Sequence, residues 1–277
     1  MPEGPELAVS RDRLRQILTG RNILSLHPGP GGRYVKAPPD GYSLLLRKLG
    51  EEPARIEEIH TKGKFMWWSL SFPGDKDLWY MFCTYGMSGG WEMNRSKHTG
   101  FSVCATDHIN LFFNDPRHFG TIKFVRGRAL LDKKLKTLGP CILNDDVSTE
   151  TFKSAQMKKP SLPIGEALMN QAAISGIGNY LRAEILYQSK ISPHRLVSQI
   201  TDPEWEVLTR WSRDISALSY RSQGATLHTY KTLDGDTGSA QFMFQVYGKE
   251  ADPSGRPVLR ETDGGGRTIH WCPEVQK

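Results

Sequence analysis

The hydrophobic pattern of this 277-residue chain changes near residue 130, and that change limits the possible folds more than any other feature. Over about 22–128, short runs rich in aromatic and β-branched residues alternate with turn sequences such as FPGD, MSGG and NDPR, as is typical of strands. Apolar residues at helical spacing precede this block over 5–19 and follow it most clearly over 202–222, with Asp202 as the predicted N-cap. The pattern predicts a helix, then a β-sandwich or barrel, then a helical domain that ends in a hairpin.

The composition fits a globular protein from a reducing compartment. Hydrophobic residues make up 38% and charged residues 24%, and no apolar run reaches the ~18 residues that a membrane span needs. The first residues lack the apolar core of a secretion signal. The four cysteines form no C-x-x-C pair, which argues against a disulfide framework and a cysteine zinc site. A net charge of +6 favours nucleic acid as a partner, although charge alone is a weak indication.

The stretch ISGIGNYLRAEIL at 174–186 is the most informative motif. Gly176 and Gly178 permit a tight turn, and a helix is predicted to begin at Asn179. A glycine turn that leads into a helix points free backbone N–H groups outward, which makes a phosphate site. The same residues also fit an ordinary helix-turn-helix corner with an Asn cap, so the motif alone does not decide between them.

The N-terminal sequence MPEGPE combines an amine with a carboxylate. Because Met before a small residue is usually removed, we expect Pro2 to carry a free secondary amine, with Glu3 as its nearest acid. Glu3 and Glu6 equally suit the first turn of a helix, where acidic side chains are favoured by the helix dipole. These residues therefore fit either a reactive centre or a plain helix start.

Five motifs, in the same order along the chain, resemble those of the formamidopyrimidine-DNA glycosylase and endonuclease VIII (Fpg/Nei) family. Together they cover the chain nearly from end to end, and PEGPE has the Nei-type spelling with Gly4. The motifs are PEGPE at the N-terminus, GMSG (86–89), DPRHFG (115–120), GIGNYLRAEILYQSKISP (176–193) and QVYGK (245–249).

The resemblance implies an α+β fold with two domains. Residues 1–130 would form the catalytic domain, an N-terminal helix plus a two-layer β-sandwich. A linker near 129–145 would lead into a helical domain at 131–277 with a helix–two-turn–helix (H2TH) element. A β-hairpin finger is expected at about 243–277.

The resemblance also implies a bifunctional DNA glycosylase and AP lyase of base excision repair. Pro2 would attack C1′ of the damaged nucleotide and form a Schiff base, and β,δ-elimination of the DNA strand would follow. Glu3 would donate a proton to the opening deoxyribose, and Glu6 would support it. Lys64 in TKGKF, which matches the R-x-x-K-[YF] block of the family, would hold the phosphate next to the lesion; a solvated turn lysine is the alternative.

Other matched residues would grip and open the DNA. Asn179 and Arg267 would bind phosphates, and an exposed loop arginine is the alternative for Arg267. Met87, Arg117 and Phe119 resemble the residues that fill the void left by the everted nucleotide, although Met and Phe in a β domain are often core. His118 stands where many relatives carry a second arginine, which leaves the opposite-base preference open.

The C-terminal segment departs from the zinc finger of many relatives. Ser254 stands where a first cysteine ligand is expected, and Val275 stands at the next ligand position, three residues after Cys272. One cysteine cannot make a tetrahedral zinc site, so the tail resembles the zincless finger of some Nei-like enzymes. No cofactor is expected, and Cys272 is expected to be packed rather than reactive.

The sequence features point to two different substrate classes, and the cellular compartment depends on the type of organism. The loop at 223–242 resembles one that lies over the everted base in formamidopyrimidine-type enzymes and favours oxidised purines, whereas Gly4 and the zincless tail favour oxidised pyrimidines. The expected partner is double-stranded DNA with an oxidised base or an abasic site, bound by a monomer without any membrane association. The location would be nuclear in a eukaryote and otherwise cytoplasmic.

Two other functional classes fit parts of the sequence. A non-catalytic nucleic-acid-binding protein could keep the same helix–turn element, but it has no need of Pro2 beside Glu3. A zinc-finger regulator is excluded by the number of cysteines.

Overall fold

A computed structural model of the chain describes residues 2–30, 32–225 and 244–277. The described residues divide into two compact units: unit 1 contains Pro2 and residues 6–136, and unit 2 contains residues 3–5, 137–225 and 244–277. The elements are α1 (Gly4–Leu18), β1 (Asn22–Pro28), α2 (Tyr42–Glu51), β2 (Ala54–Lys62), β3 (Phe65–Ser71), β4 (Trp79–Thr84), β5 (Gly90–Glu92), β6 (Thr99–Ala105), β7 (Ile109–Asn114), β8 (Thr121–Arg126), α3 (Arg128–Leu135), α4 (Thr149–Gln156), α5 (Ile164–Ala167), α6 (Asn179–Ser189), α7 (Asp202–Arg221), β9 (Leu259–Thr262) and β10 (Thr268–Trp271).

The strands of unit 1 form an antiparallel sheet that folds over into two layers. Its strand order is β5-β7-β6-β1-β2-β3-β4-β8. Trp68 on β3 and Trp91 on β5 are far apart in this order, yet their ring centroids are 5.2 Å apart. Phe101 on β6 and Phe124 on β8 meet in the same way, at 6.0 Å. The predicted N-terminal β-sandwich is confirmed.

The core of the sandwich follows from the alternation of side chains along its strands. On β6 the alternate residues Phe101, Val103 and Ala105 are buried, as expected for a strand with one face toward a core. Helix α1 adds Leu14 and Leu18 to the same core. Each fully buried large apolar side chain contributes roughly 1.5–3 kcal/mol.

Two helices lie where the sequence pattern predicts none. Helix α2 interrupts the block predicted as strands: Gly41, at φ 75°, begins it, and Tyr42 donates a hydrogen bond to the carbonyl of Leu26 at 2.8 Å. Only Leu45 of α2 is fully buried, and its exposed leucine neighbours hide the helical period. Helix α3 lies within the segment predicted as a linker. Its Leu131 is buried, and the helix belongs to unit 1.

Unit 2 is built on the packing of α6 against α7. The N-cap of α7 is Thr201 rather than the predicted Asp202, because Glu204 reaches back and accepts the Thr201 N–H at 2.8 Å. The buried face of α7 contains Leu208 and Ile215. It also contains small serines, which allow a close approach between helices, whereas Leu218 is 39% exposed. Strands β9 and β10 form an antiparallel hairpin.

Among the residues that the structure describes, no helix is both long enough and apolar enough to cross a bilayer.

Candidate active site and nucleic-acid interface

Glu3 lies in unit 2 as a buried carboxylate at the N-terminus of α6. It is only 1% exposed. Its Oε1 accepts the N–H of Tyr180 at 2.9 Å, and its Oε2 accepts the N–H of Leu181 at 3.3 Å. The first N–H groups of a helix have no partner within the helix, and they carry the positive end of its dipole. The carboxylate is therefore held in one orientation by the charge and hydrogen bonds of α6.

Glycines make this contact possible. A Cβ atom at Gly178, which precedes α6, would overlap the carboxyl group of Glu3. Gly4 donates its N–H to the carbonyl of Gly176 at 2.9 Å, and a Cβ at Gly4 would lie 3.0 Å from the Cα of Gly176. The glycines of the GIG motif therefore leave the space that Glu3 and Gly4 occupy. Two N–H groups that the sequence pattern predicts to face outward toward a phosphate instead face Glu3.

Tyr247 is the ionisable neighbour of Glu3 within unit 2. Burial raises the pKa of Tyr247, and the negative charge of Glu3 raises it further, against smaller opposing effects of Asn179 and Arg182. The phenol therefore stays protonated at neutral pH and keeps a hydrogen-bond donor among these groups. Sequence reasoning included Tyr247 in QVYGK but gave it no role.

Asn179 and Arg267 lie on segments that meet within unit 2. Asn179 is the first residue of α6 and donates from Nδ2 to the carbonyl of Thr268 at 3.0 Å. Arg267 ends the turn before β10, where its backbone N–H donates to Asp263 Oδ1 at 2.8 Å. The guanidinium of Arg267 is exposed and makes no hydrogen bond or ion pair with the residues that the structure describes. Both predicted phosphate ligands therefore sit at one edge of unit 2.

Unit 1 holds the other predicted catalytic residues. Pro2 is buried, and Glu6, in the first turn of α1, is 1% exposed. Lys64 is half-buried at the tip of the β2–β3 hairpin, in a two-residue turn with Gly63 at φ 56°. The tip of a hairpin projects beyond the sheet, so this position suits a side chain that reaches a phosphate.

A single buried carboxylate gathers the loops of the predicted void-filling residues. Asp115, which is 3% exposed, accepts the hydroxyl of Ser88 at 2.6 Å through Oδ1 and the N–H of Gly120 at 2.6 Å through Oδ2. The N–H of Arg117 donates to Ser88 Oγ at 3.1 Å and to Asp115 Oδ1 at 3.2 Å. The loop after β4 and the loop before β8 are therefore tied together from beneath.

The side chains carried by these loops point outward. Met87 is 37% exposed and Phe119 is 53% exposed, so neither is a core residue. The guanidinium of Arg117 lies 5.3 Å from the ring centroid of Phe119, a cation–π distance. His118 has φ 57°, and its ring packs beside Gly32, where an added Cβ would lie 2.7 Å from Nδ1. The structure thus brings the three predicted residues to one surface of unit 1.

The C-terminal segment is held by apolar packing and by two carboxylates. Cys272 is fully buried against Val246 and Val258. Glu184 accepts three backbone N–H groups of residues 245–247 at 2.8–3.1 Å, and burial raises its pKa in spite of these bonds. Asp252 closes the turn that contains Ser254 and pairs with Arg256 at 2.6 Å. The described residues contain no cluster of three or more His, Cys, Asp or Glu side chains that could hold a metal ion.

The chain matches two family models along most of its first 230 residues. Residues 1–122 match the formamidopyrimidine-DNA glycosylase N-terminal domain, and residues 138–230 match the formamidopyrimidine-DNA glycosylase H2TH domain. A formamidopyrimidine-DNA glycosylase of Thermus thermophilus is 31% identical over 282 residues, which cover 100% of this chain and 98% of that one.

The chain belongs to the Fpg/Nei family.

Solved structures of the family agree with this fold. The MutM (Fpg) protein from Thermus thermophilus has a TM-score of 0.85 at 30% identity and covers 99% of this chain and 98% of its own. A variant of LlFpg, the Lactococcus lactis protein, has a TM-score of 0.86 at 25% identity with both chains fully covered. That structure is a complex with DNA that contains THF. The mixed α+β fold with an H2TH domain is confirmed, and membership of the family identifies the chain as a DNA glycosylase of base excision repair.

Several residues that organise the Fpg/Nei site were not singled out from the sequence. Asp115 and Asp263 each stand shortly before a predicted DNA-binding arginine, in DPR and in DGGGR, and an Asx turn at such positions is a usable signal. Arg182 and Glu184 lie on α6, where charged residues usually mark a solvent face. The loop residues 226–243, which include most of the predicted lesion-covering loop, lie outside the described residues.

Proposed function

We propose that the chain is a bifunctional DNA glycosylase and AP lyase that acts on double-stranded DNA with an oxidised base or an abasic site. It works as a monomer whose catalytic domain spans 1–130 and whose H2TH domain spans 131–277. Base removal and strand cleavage take place at one site built around Pro2 and Glu3. Lys64 contacts the phosphate beside the lesion.

Pro2 is the nucleophile of the proposed reaction once Met1 is removed. An α-amine has an unperturbed pKa of roughly 7.7–8.0, so a useful fraction is neutral at physiological pH. Its nitrogen attacks C1′ and displaces the base; the C1′–O4′ bond then breaks as Glu3 gives a proton to O4′, which leaves a Schiff base in the form of an iminium ion between Pro2 and C1′. Loss of a proton from C2′ converts the iminium into an enamine, whose electron pair then expels the 3′ phosphate and regenerates a conjugated iminium. A second elimination expels the 5′ phosphate and gives the β,δ product.

The observation that carries the proposal is the burial of the Glu3 carboxylate at the N-terminus of α6, next in sequence to Pro2. A catalytic acid must be held within hydrogen-bond reach of the atom that it protonates. Glu3 is fixed by two backbone N–H groups. Its carboxyl group fits beside residue 178 only because that residue is glycine. A non-catalytic DNA-binding protein does not require a buried carboxylate next to its N-terminal amine. Glu6, in the first turn of α1, supports Glu3 in this role.

The remaining predicted residues hold the DNA open. Asn179 and Arg267 bind phosphates, and the outward-pointing Met87, Arg117 and Phe119 occupy the space of the everted nucleotide. Eversion costs a few kcal/mol, and insertion of apolar and cationic side chains offsets it. The solved LlFpg complex with THF-containing DNA supports a damaged duplex as the partner of this chain. Both oxidised pyrimidines and ring-opened or further-oxidised purines are substrates in this proposal.

The decisive experiment is covalent trapping. The protein is mixed with a duplex that contains one abasic site and is treated with borohydride, which reduces a Schiff base to a stable adduct. We expect an adduct that contains the N-terminal peptide, and no adduct with an undamaged duplex. Absence of the adduct, or an adduct at another residue, would remove Pro2 from the mechanism. A panel of duplexes with single defined lesions then ranks oxidised purines against oxidised pyrimidines.

We further propose that the C-terminal finger needs no zinc. The packing of Cys272 against Val246 and Val258 and the Asp252 turn support this proposal. Elemental analysis of protein purified without chelator is expected to find less than stoichiometric zinc. Tightly bound zinc, or loss of DNA binding after dialysis against a chelator, would contradict it.

A further inference from the structure

Arg182 is a buried cation with four partners in unit 2. It is 1% exposed. Its Nη1 donates to Asp263 Oδ2 at 2.6 Å and to the carbonyl of Gly165 at 3.2 Å. Its Nη2 donates to Asn179 Oδ1 and to the carbonyl of Thr268, the latter at 3.1 Å. One guanidinium fork therefore contacts α6, the β9–β10 turn and the start of β10.

Asp263 connects Arg182 to Arg267 because its carboxylate accepts hydrogen bonds from both residues. Asp263 is 9% exposed, and its Oδ1 accepts the N–H of Arg267 at 2.8 Å while its Oδ2 receives Arg182. The N–H of Asp263 donates to the carbonyl of Arg267 at 2.9 Å. Three glycines separate the two residues, so no side chain between them can brace Arg267. The Asp263 carboxylate is the connection that links the turn to the buried guanidinium.

Asn179 is held by the same guanidinium from the other side. Its Oδ1 accepts Arg182 Nη2, and its Nδ2 donates to the carbonyl of Thr268, which Arg182 also contacts. The orientation of the amide is therefore fixed, with the oxygen facing Arg182.

We infer that Arg182 is a positioning residue that joins Asn179 and Arg267 into one phosphate-binding device, with Asp263 as the link. This inference rests on the proposed function, in which both residues contact DNA phosphates. Arg182 itself does not reach the DNA. It sets the direction in which the exposed guanidinium of Arg267 leaves its turn.

Stability alone is a poor explanation of the pair. A buried ion pair is often no more stabilising than an apolar pair of the same size, because both charges lose their hydration. Burial by itself raises the pKa of Asp263 and is the largest single effect, but the hydrogen bond and charge of Arg182 and the backbone N–H groups of Arg267 and Gly265 together outweigh it. The net shift is downward, so the pair stays charged at neutral pH. The rigid planar fork of arginine supplies geometry that an apolar side chain lacks.

The salt dependence of DNA binding tests this role. Each cation that neutralises a phosphate contributes about 0.9 to the slope of log K against log salt concentration on duplex DNA. We expect Arg267→Ala to lower the slope by about 0.9. Arg182→Met and Asp263→Asn are expected to lower it by the same amount, and Arg182→Met combined with Arg267→Ala to lower it no further. A loss of stability alone does not change the slope of the folded protein.

Asp252→Asn is the matched control, because it makes the same chemical change in the other Arg–Asp pair of the C-terminal segment, Arg256–Asp252. It is expected to lower the melting temperature and keep the wild-type slope. Wild-type slopes for folded Asp263→Asn or folded Arg182→Met would overturn the inference. If Arg267→Ala also keeps the wild-type slope, the proposed phosphate contact of Arg267 itself is wrong. Asp263→Asn keeps the side-chain volume, so it provides the test if Arg182→Met fails to fold.

Discussion

At the scale of single residues, the smallest side chain in the site has the greatest consequence. Gly178 has no Cβ, and the Glu3 carboxyl group occupies that space. Two helix N–H groups then bind the carboxylate. The position of the proposed catalytic acid thus depends on the absence of a Cβ atom at a residue far away in the sequence, which predicts that a substitution at Gly178 is harmful.

Gly178→Ala is expected to lower base excision about 100-fold, since a displacement of about 1 Å at a catalytic group has an effect of that size. Excision is measured in single turnover on a lesion duplex, with DNA binding measured in parallel and expected to be retained. Gly50→Ala, at a position where an added Cβ meets nothing within 4 Å, serves as the control. Equal excision by Gly178→Ala and Gly50→Ala would show that Glu3 tolerates displacement.

Glu3→Gln separates chemistry from binding at the same position. The amide keeps the shape of the side chain but cannot donate a proton as an acid does, so excision is expected to fall by roughly 10²–10⁴-fold, the usual range for general acid catalysis. Affinity for lesion DNA, measured by fluorescence anisotropy, should remain. Unchanged excision would remove Glu3 from the mechanism.

At the scale of elements, the two loops that carry the predicted void-filling residues are both held by one carboxylate, Asp115. Its two oxygens bind Ser88, Arg117 and Gly120. Both loops therefore lose their support together when this carboxylate changes.

Asp115→Asn is expected to lower stability by about 1–3 kcal/mol, because one buried N–H or hydroxyl loses its acceptor. Excision from a paired lesion should fall more than cleavage at an abasic site, because an abasic nucleotide has no base to unstack. Chemical denaturation and single-turnover assays measure the two effects. Asp77→Asn, at an exposed carboxylate of unit 1, is the control. A uniform loss on both substrates would contradict the proposed role of the loops.

The elements themselves were largely predictable, because periodicity is a local signal. The sequence predicts α1, the β block, a helix at Asn179 and α7 to within a few residues. Helix α2 was missed because only one of its residues is fully buried. The contact of Glu3 with α6 and the Arg182–Asp263 pair join residues far apart in sequence, and no local pattern contains them. The resemblance to the Fpg/Nei family supplied the site residues, not their supports.

At the scale of the whole molecule, acid should destabilise the fold through His270. Burial, together with the positive charges of Arg260 and Arg182, lowers the pKa of His270 to about 4, against about 6.5 in an unfolded chain. Between these values the unfolded state binds the proton and the folded state does not. The contribution of His270 to stability is therefore complete above about pH 6.5 and is lost as the pH falls toward about 4.

His270→Phe is expected to reduce the slope of unfolding free energy against pH in that window, by less than about 1.4 kcal/mol per pH unit because the ring is partly exposed. Phenylalanine keeps the ring that packs 4.9 Å from Tyr247, and it removes a buried nitrogen, Nδ1, that has no hydrogen-bond partner among the described residues. Urea denaturation at several pH values measures the slope. His27→Phe, at an exposed histidine, is the control, and an unchanged slope in His270→Phe would refute the assignment.

The anchoring of two loops by Asp115 has a consequence for how such an enzyme diversifies. Since hydrogen bonds to the buried Asp115 hold the backbone of both loops, the exposed side chains of Met87 and Phe119 contribute little to the stability of the fold. Randomised libraries at these two positions should therefore yield mostly soluble protein whose members differ in which damaged context they accept. Substitutions at positions 87 and 119 are therefore expected to change lesion preference without changing the fold.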